Sequence, residues 1–318
     1  MTAPTLLITG ANGFVGSHVA AMAASRGLRV WAAGRETRPA ARLESFCDEY
    51  FSRDLNEEWR IPEGADYVVH LAGLAAVGLS FDRPQRYISV NSSIMTNMCE
   101  AFVRQDKKPR IVVVSSGSVY APPKDKDEAL DESSPLIANS PYAVAKMLVE
   151  NQAAYYSNRG LDTVVARPFN HIGPGQNTGF LVPDLTLALE SLPVGEVMHA
   201  ANLHAARDFT DVRDVANAYL TLALAPSHEH QTYNVASGVA HSGFDVLETL
   251  CQLMERPVPE VRIDSSKLRP TDPMRIAGNA ERLRGEFGWE PEMHWKRSIA
   301  DFLGEKSKVE NRHAFYPG

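Results

Sequence analysis

The chain has 318 residues, of which 44% are hydrophobic and 22% charged. That size and mixture allow one large α/β unit or two unequal lobes, and exclude a disordered or low-complexity polymer. The 32 basic and 39 acidic residues leave a net charge of -7 with no Lys/Arg run, which argues against nucleic acid as the main ligand.

The first half alternates short β-branched runs with longer helical patterns. Strands are expected over 5–9, 30–33, 67–71, 111–115 and 163–167, and helices over 15–26, 84–104 and 142–157. That rhythm predicts an α/β fold, a doubly wound parallel Rossmann sheet whose strand C-termini line the ligand edge. Ser140-Pro141 reads as an N-cap followed by proline at the first helical position. After Arg167 the pattern loosens into helices near 181–191, 211–224, 243–255 and 279–287, separated by loops rich in Gly, Pro and Asn. Residues 1–169 are therefore expected to form the dinucleotide-binding core. Residues 170–310 are expected to be mainly a smaller C-terminal substrate-binding lobe, with some segments returning to the core. Three scattered cysteines, Cys47, Cys99 and Cys251, have neither metal nor disulfide spacing, and the histidines show no metal pattern. No apolar run approaches the roughly 18 residues needed to span a bilayer, so a soluble, unexported, cytoplasmic protein without metal is expected.

The segment Leu6-Leu7-Ile8-Thr9-Gly10-Ala11-Asn12-Gly13-Phe14-Val15-Gly16 leaves an apolar strand through three glycines spaced by three and enters a helix. Missing side chains let the backbone turn tightly and approach a pyrophosphate, while free N–H groups at the helix start stabilise its charge. The loop Gly10, Asn12, Gly13, Phe14, Val15 and Gly16 is thus the expected cofactor cradle. Where NAD-binding units carry an acid at the end of the second strand, this chain has Gly34, followed by Arg35 and then Arg38. An arginine there can pair with a 2′-phosphate, worth roughly 1.5–3 kcal/mol. NADP is the expected cofactor, NAD the alternative if Arg35 and Arg38 simply face solvent.

Tyr142 and Lys146 lie four apart on one helix face, and Ser115-Ser116 closes the strand at 111–115. Serine hydroxyl, tyrosine phenol and lysine ammonium beside a nicotinamide can carry out carbonyl reduction: serine bonds the carbonyl, Tyr142 gives the proton, and Lys146 stabilises the phenolate. That help is needed, because a free phenol titrates near 10 and its ionisation at neutral pH costs about 4 kcal/mol.

These residues resemble a known family. Thr-Gly-Ala-Asn-Gly-Phe-Val-Gly (9–16), His-Leu-Ala-Gly (70–73), Val-Ser-Ser-Gly-Ser-Val-Tyr (114–120), Ser-Pro-Tyr-Ala-Val-Ala-Lys (140–146) and Arg-Pro-Phe-Asn-His-Ile-Gly-Pro-Gly-Gln (167–176) are similar to the extended short-chain dehydrogenases that act on nucleotide sugars, the NAD-dependent epimerase/dehydratase family. Later segments at 207–212, 233–238, 268–270 and 287–291 fit as well. Within that family the stretch 167–176, together with 207–214, is similar to the GDP-4-dehydro-6-deoxy-D-mannose reductases. The resemblance implies Ser116 as the catalytic hydroxyl, with Tyr142 and Lys146 as its partners. It implies further cofactor contacts at Asp54, Leu55, Leu71 and Ala72, and substrate contacts at Asn170, Arg207 and Arg269, the arginines facing a diphosphate. Arg207 could instead pair with Asp208 or Asp211, and Asn170 could cap a turn. The family pattern also implies a homodimer through the helices near 89–104 and 142–157.

Two departures matter. Ala121-Pro122-Pro123 follows Tyr120 where the family has glycine, and Ser118 stands where sugar 4,6-dehydratases place an acid two residues before the tyrosine. Without that acid, elimination would lose roughly 10²–10⁴ in rate. The expected activity is NADPH-dependent reduction of the C4 ketone of a nucleotide-linked 4-keto-6-deoxyhexose, GDP-4-dehydro-6-deoxy-D-mannose by the resemblance. A nucleotide-sugar 4-epimerase with bound NAD is the alternative, and a non-catalytic NADPH-binding protein is a third reading.

Overall fold

The computed structural model describes residues 3–125, 128–264 and 273–315. From the N-terminus, β1 (Thr5–Thr9) leads through the glycine loop into α1 (Phe14–Ser25), then β2 (Arg29–Gly34), α2 (Ala41–Glu44), β3 (Glu49–Ser52) and β4 (Tyr67–His70). Next come α3 (Val77–Asp82), α4 (Pro84–Val103), β5 (Arg110–Val114), a 3-10 turn (Gly117–Val119), α5 (Pro141–Asn158) and β6 (Asp162–Pro168). The rest comprises β7 (Asn170–Ile172), α6 (Leu181–Ser191), β8 (Met198–Ala200), β9 (Ala206–Asp211), α7 (Val212–Leu224) and β10 (Thr232–Val235). It closes with β11 (Ala240–Ser242), α8 (Gly243–Leu253), β12 (Val261–Ile263), β13 (Arg275–Ile276), α9 (Glu281–Phe287) and α10 (Trp295–Phe315).

Seven strands make one sheet in the order β10-β6-β5-β4-β1-β2-β3, and every pairing in it is parallel. This is the doubly wound Rossmann sheet the βαβ rhythm predicts. From β1 the chain runs outward to β2 and β3 and then returns to β4 on the other side, so the loops after β1 and β4 part and leave a crevice at their C-terminal ends. Helix α4 buries Asn91, Ile94, Met95, Met98, Cys99 and Phe102, the three-four spacing of one helix face turned to the core. Fully burying each of its large apolar side chains stabilises the fold by about 1.5–3 kcal/mol. That core also takes Val149, Ala153 and Tyr156 from α5, whereas Val19 and Ala23 of α1 share the other core with Val215, Tyr219 and Leu222 of α7.

A third core holds Ile172, Val182, Leu185, Phe209, Val246, Leu250 and Trp295, apart from the two that flank the main sheet. There β9 pairs with β7, β11 and β13. Asp208 at its centre accepts from Ser237 N at 2.9 Å, Ser237 Oγ at 2.6 Å, Gly238 N at 2.8 Å and Gly278 N at 3.1 Å. A buried carboxylate with four donors is satisfied and rigid, so it holds β9 against the loops that follow β10 and β13.

Several elements differ from the sequence reading. Strand β3 was not expected: Glu49-Tyr50-Phe51-Ser52 is a half-buried edge strand with no alternation to mark it. Helices α2, α3 and α10 were likewise unforeseen, and β10, read only as part of a family motif, is the outermost strand of the main sheet beside β6. Among the described residues no helix is long and apolar enough to cross a membrane.

Candidate active site

The glycine loop takes its shape from close backbone contacts. Gly10 has φ +70, and a Cβ there would lie 2.8 Å from the Ala72 nitrogen; one on Gly16 would lie 2.6 Å from the Ala11 Cα and carbonyl oxygen. Leu71 N donates to Thr9 O at 3.2 Å and Ala72 N to Thr9 Oγ1 at 3.3 Å, so the two strand ends are laced together. Gly13 is the N-cap of α1 and brings no side chain to the helix start, which leaves that N-terminus available to an anion. This cradle, filled by any added Cβ and open at a helix N-terminus, fits a dinucleotide pyrophosphate. Phe14 continues from it into the wall of a cavity lined also by Ser116 and Tyr142. Val15 packs partly buried against the first core, and Leu55 is buried in the second. Asp54 accepts from Asn56 N at 3.0 Å in the turn after β3.

Asn12 ties down the loop after β2. Its Oδ1 accepts from Ala40 N at 2.7 Å, and its Nδ2 donates to Arg38 O at 3.2 Å, Glu36 Oε2 at 3.2 Å and the Tyr50 hydroxyl at 3.1 Å. A Cβ on Gly34 would sit 2.8 Å from both Glu36 Oε2 and the Tyr50 hydroxyl. The strand end is therefore not without a carboxylate: Glu36, two residues on, turns back over Gly34. Arg35 is largely exposed, its side chain 72% accessible and its Nε 3.9 Å from the Glu36 carboxylate. The sequence reading weighed Gly34, Arg35 and Arg38 and passed over Glu36 and Tyr50, whose approach to Gly34 is set by side-chain rotamers and not by spacing.

On the other side of the crevice lies a cavity of about 270 Å³. Its walls include Ser116, Ser118, Tyr142, Asn170 and Arg207, with Val77 and Phe81 from α3 and Phe180, Leu181 and Val182 at the start of α6. Ser140 caps α5 by accepting from Ala143 N at 3.1 Å, with Pro141 following it, as the sequence predicts. The cap fixes where the helix begins and hence where Tyr142 and Lys146 point. Tyr142 is buried on the same cavity wall as Ser116; burial pushes the phenol up to about 12, with the Ser116 hydroxyl pulling the other way. Lys146 lies behind it, Nζ donating to Val114 O at 2.8 Å and 5.8 Å from the Tyr142 ring centroid. Burial brings the ammonium down to about 8, and the Glu150 carboxylate one turn along α5 holds it up against that pull.

His171 also lines the cavity, stacked on Phe14 at 5.9 Å with Nδ1 3.2 Å from Phe169 O. Burial lowers its pKa, so it is a neutral wall. Arg207 Nη1 donates to Ala206 O at 2.7 Å. Asp208 is engaged as described above, and Asp211 pairs with Arg213 at 2.8 Å. Arg269 lies outside the described residues. One trio with metal-ligand geometry, Glu229, His230 and Glu286, occurs among the described residues, away from the cavity walls. Its Glu286 oxygens already accept from Glu229 N and the Tyr233 hydroxyl.

Glycine cradle, capped helix and buried Tyr–Lys pair together define a nicotinamide-dependent enzyme of the Rossmann class. The pattern of the NAD dependent epimerase/dehydratase family matches residues 6–236, and the chain belongs to that family. It is 30% identical over 305 residues to GDP-6-deoxy-D-mannose reductase of Pseudomonas aeruginosa, covering 94% of this chain and 96% of the relative. It is also 26% identical to the UDP-glucose 4-epimerase of Azospirillum brasilense, over 95% of this chain and 94% of that one. Among solved structures, RMD from Pseudomonas aeruginosa complexed with NADPH superposes with a TM-score of 0.81 at 28% identity, covering 96% of this chain and all of the other. The NAD complex of Thermus thermophilus UDP-glucose 4-epimerase gives 0.80 at 26%, covering 95% and 98%.

Arg35 and Glu36 thus place opposite charges at the end of β2, where a dinucleotide's ribose would be read. The unmodified chain should bind NADPH more tightly than NADH, and Arg35→Ala should erase most of the difference, roughly tenfold or more. Glu36→Gln should widen it by removing repulsion toward the 2′-phosphate. Titration calorimetry with both cofactors reads the ratio; equal affinities in the unmodified chain would remove Arg35 from this role.

Proposed function

We propose that this enzyme reduces the C4 ketone of a nucleotide-linked 4-keto-6-deoxyhexose with NADPH in the cytoplasm, the substrate being GDP-4-dehydro-6-deoxy-D-mannose. The observation that carries the reading is the chemistry of the cavity wall. It presents the Ser116 and Tyr142 hydroxyls, and none of its described residues is Asp or Glu. Ser118, where a dehydratase would hold its acid, instead bonds Ser116 at 3.0 Å. The 30% identity to a GDP-6-deoxy-D-mannose reductase supports the nucleotide and the sugar.

A nicotinamide dinucleotide, held by the loop Gly10, Asn12, Gly13, Phe14, Val15 and Gly16 together with Asp54, Leu55, Leu71 and Ala72, supplies the hydride when bound. Ser116 donates a hydrogen bond to the ketone oxygen. Tyr142 gives that oxygen its proton; with its phenol near 12 it is fully protonated at neutral pH, the form a proton donor needs. The same value makes phenolate cost on the order of 7 kcal/mol at pH 7, so Lys146 must stabilise it as it forms. Arg207 meets the diphosphate, and Asn170 at the cavity wall bonds the sugar. An arginine is suited to that diphosphate because its planar fork matches phosphate oxygens. A second reading, a 4-epimerase retaining NAD, is favoured by one feature, the Glu36 carboxylate turned over Gly34, which suits a ribose diol. The chain pairs as a homodimer through α4 and α5, which Gln152 already links by donating to Ser92 O and Thr96 Oγ1.

Three outcomes check this reading. Given GDP-4-keto-6-deoxy-D-mannose beside UDP-, dTDP- and CDP-linked 4-keto sugars, the enzyme should oxidise NADPH with the GDP sugar and yield a 6-deoxyhexose reduced at C4. If it oxidises NADPH with none of them yet interconverts an ordinary UDP- or GDP-hexose with its C4 epimer, the epimerase replaces the reductase. The Lys146 ammonium exists below its lowered pKa and is lost above it, so kcat/KM should fall as pH rises past about 8. Glu150→Gln, which removes the anion that favours the ammonium, should move that limb to lower pH; an unmoved limb would unseat Lys146 as the titrating group. Light scattering at micromolar concentration should give twice the 35.0 kDa chain mass, and a monomer would contradict the pairing.

A further inference from the structure

A serine hydroxyl has one proton to give and two lone pairs with which to accept. At Ser116 both lone pairs are taken by the same neighbour. Ser118 N donates to Ser116 Oγ at 3.2 Å and Ser118 Oγ donates to it at 3.0 Å. The residue between them lets the 3-10 turn approach the Phe169 ring closely: a Cβ on Gly117 would lie 3.1 Å from it, which the ring would have to yield to. Ser116 has therefore only its proton left to offer, and Tyr142, on the same cavity wall, is the phenol whose ionised form that proton favours.

We propose that Ser118 is a positioning residue that makes Ser116 a hydrogen-bond donor only, which keeps the Tyr142 proton free for the sugar oxygen. This inference rests on the reductase reading for its substrate, and on the site's geometry alone for its physics. Without the Ser118 hydroxyl, Ser116 could accept from Tyr142, and the phenol's proton would be held in the wall. With it, Ser116 offers its single proton to the ketone oxygen when substrate is bound and turns that proton to the Tyr142 oxygen as the phenolate forms. As hydride from the nicotinamide reaches C4, the carbonyl π electrons move to oxygen. That oxygen takes the Tyr142 proton, and the resulting phenolate is left with the Lys146 ammonium and a hydrogen bond from Ser116. Ser116 transfers no proton in this sequence.

The groups around the phenol make Ser116's direction count. Tyr87 of α4 acts on it only unfavourably as it ionises, and Tyr219 of α7, itself fully buried and raised well above the usual phenol value, stays neutral. Lys146 lies along α5 with Glu150 beyond it, and buried His70 of β4, driven down to about 3, stays neutral beside Lys146. Arg207 lines the same cavity. Among the hydroxyls, Ser116 is the one that favours the phenolate, and it does so only as a donor.

The test compares Ser118→Ala with Ser118→Thr and Ser118→Val, the latter two matched in volume and differing in the hydroxyl. Phenolate formation at Tyr142 is read by ultraviolet difference titration against Tyr142→Phe, which needs no substrate. Losing the Ser118 hydroxyl should delay the phenolate by up to about one pH unit, the worth of one hydrogen bond. It should also lower kcat by about tenfold while KM changes little. Ser118→Thr should titrate and turn over like the unmodified enzyme, and Ser118→Val like Ser118→Ala. Unshifted titration in both Ser118→Ala and Ser118→Val overturns the proposal whatever the substrate proves to be. A shifted titration in a protein inert toward every 4-keto sugar upholds Ser118's role and removes the reductase reading instead.

Discussion

The site hangs on one buried ion pair. Arg167 at the end of β6 meets Glu150 of α5 through two bonds, at 2.6 Å and 2.8 Å, with the arginine side chain 7% and the glutamate 12% exposed. Such a pair offsets its desolvation only when its remaining donors and acceptors are used. Here they are: Glu150 also accepts from the Ser115 hydroxyl, and Arg167 Nη1 donates to the Tyr120 hydroxyl at 3.0 Å. Tyr120 passes the connection to Asn234 of β10 at 2.7 Å, and Asn234 donates to Leu130 O and Asn279 O. A single carboxylate thus fixes the end of β5, the middle of α5, the end of β6 and the outermost strand β10.

The same carboxylate has an electrostatic role, because it lies one turn from Lys146 and favours its ammonium against the pull of burial. Frame and chemistry are coupled through it. The Ser115 bond holds the residue next to Ser116, the ion pair holds the helix that carries Tyr142, and the Coulomb field reaches the lysine behind both. Across the crevice the construction is different in kind. The glycine loop owes its form to missing side chains and to the lacing of β1 against β4, so it presents backbone where the cavity presents side chains. A chain of net charge -7 can take an anionic dinucleotide there because the charge is met locally by an open helix end.

What the sequence made legible was local. A glycine triplet after an apolar strand, a Ser-Pro helix start and a Tyr–Lys pair at helical spacing are each written within a few residues, and the structure brings Ser116, Tyr142, Asn170 and Arg207 to one cavity. What stayed hidden was non-local or rotameric. That β10 would join the sheet beside β6 depends on partners such as Asn234 meeting Tyr120, separated by more than a hundred residues. Edge strand β3 has no alternation to betray it. Glu36 could be read from the sequence, but not its turn back over Gly34, which Asn12 and Tyr50 impose. Ser118 was legible only as a missing acid, because a hydroxyl's partner is a matter of angstroms and not of spacing.

The central claim is that Ser116, Tyr142 and Lys146 serve a net transfer of hydride to C4 of a keto sugar. Running the reaction with reductant deuterated at the transferring position of the nicotinamide tests it most directly. The account predicts one deuterium in the hexose, at C4, for every cofactor oxidised. Product sugar formed without deuterium at C4, or formed with no net oxidation of the cofactor, would contradict it.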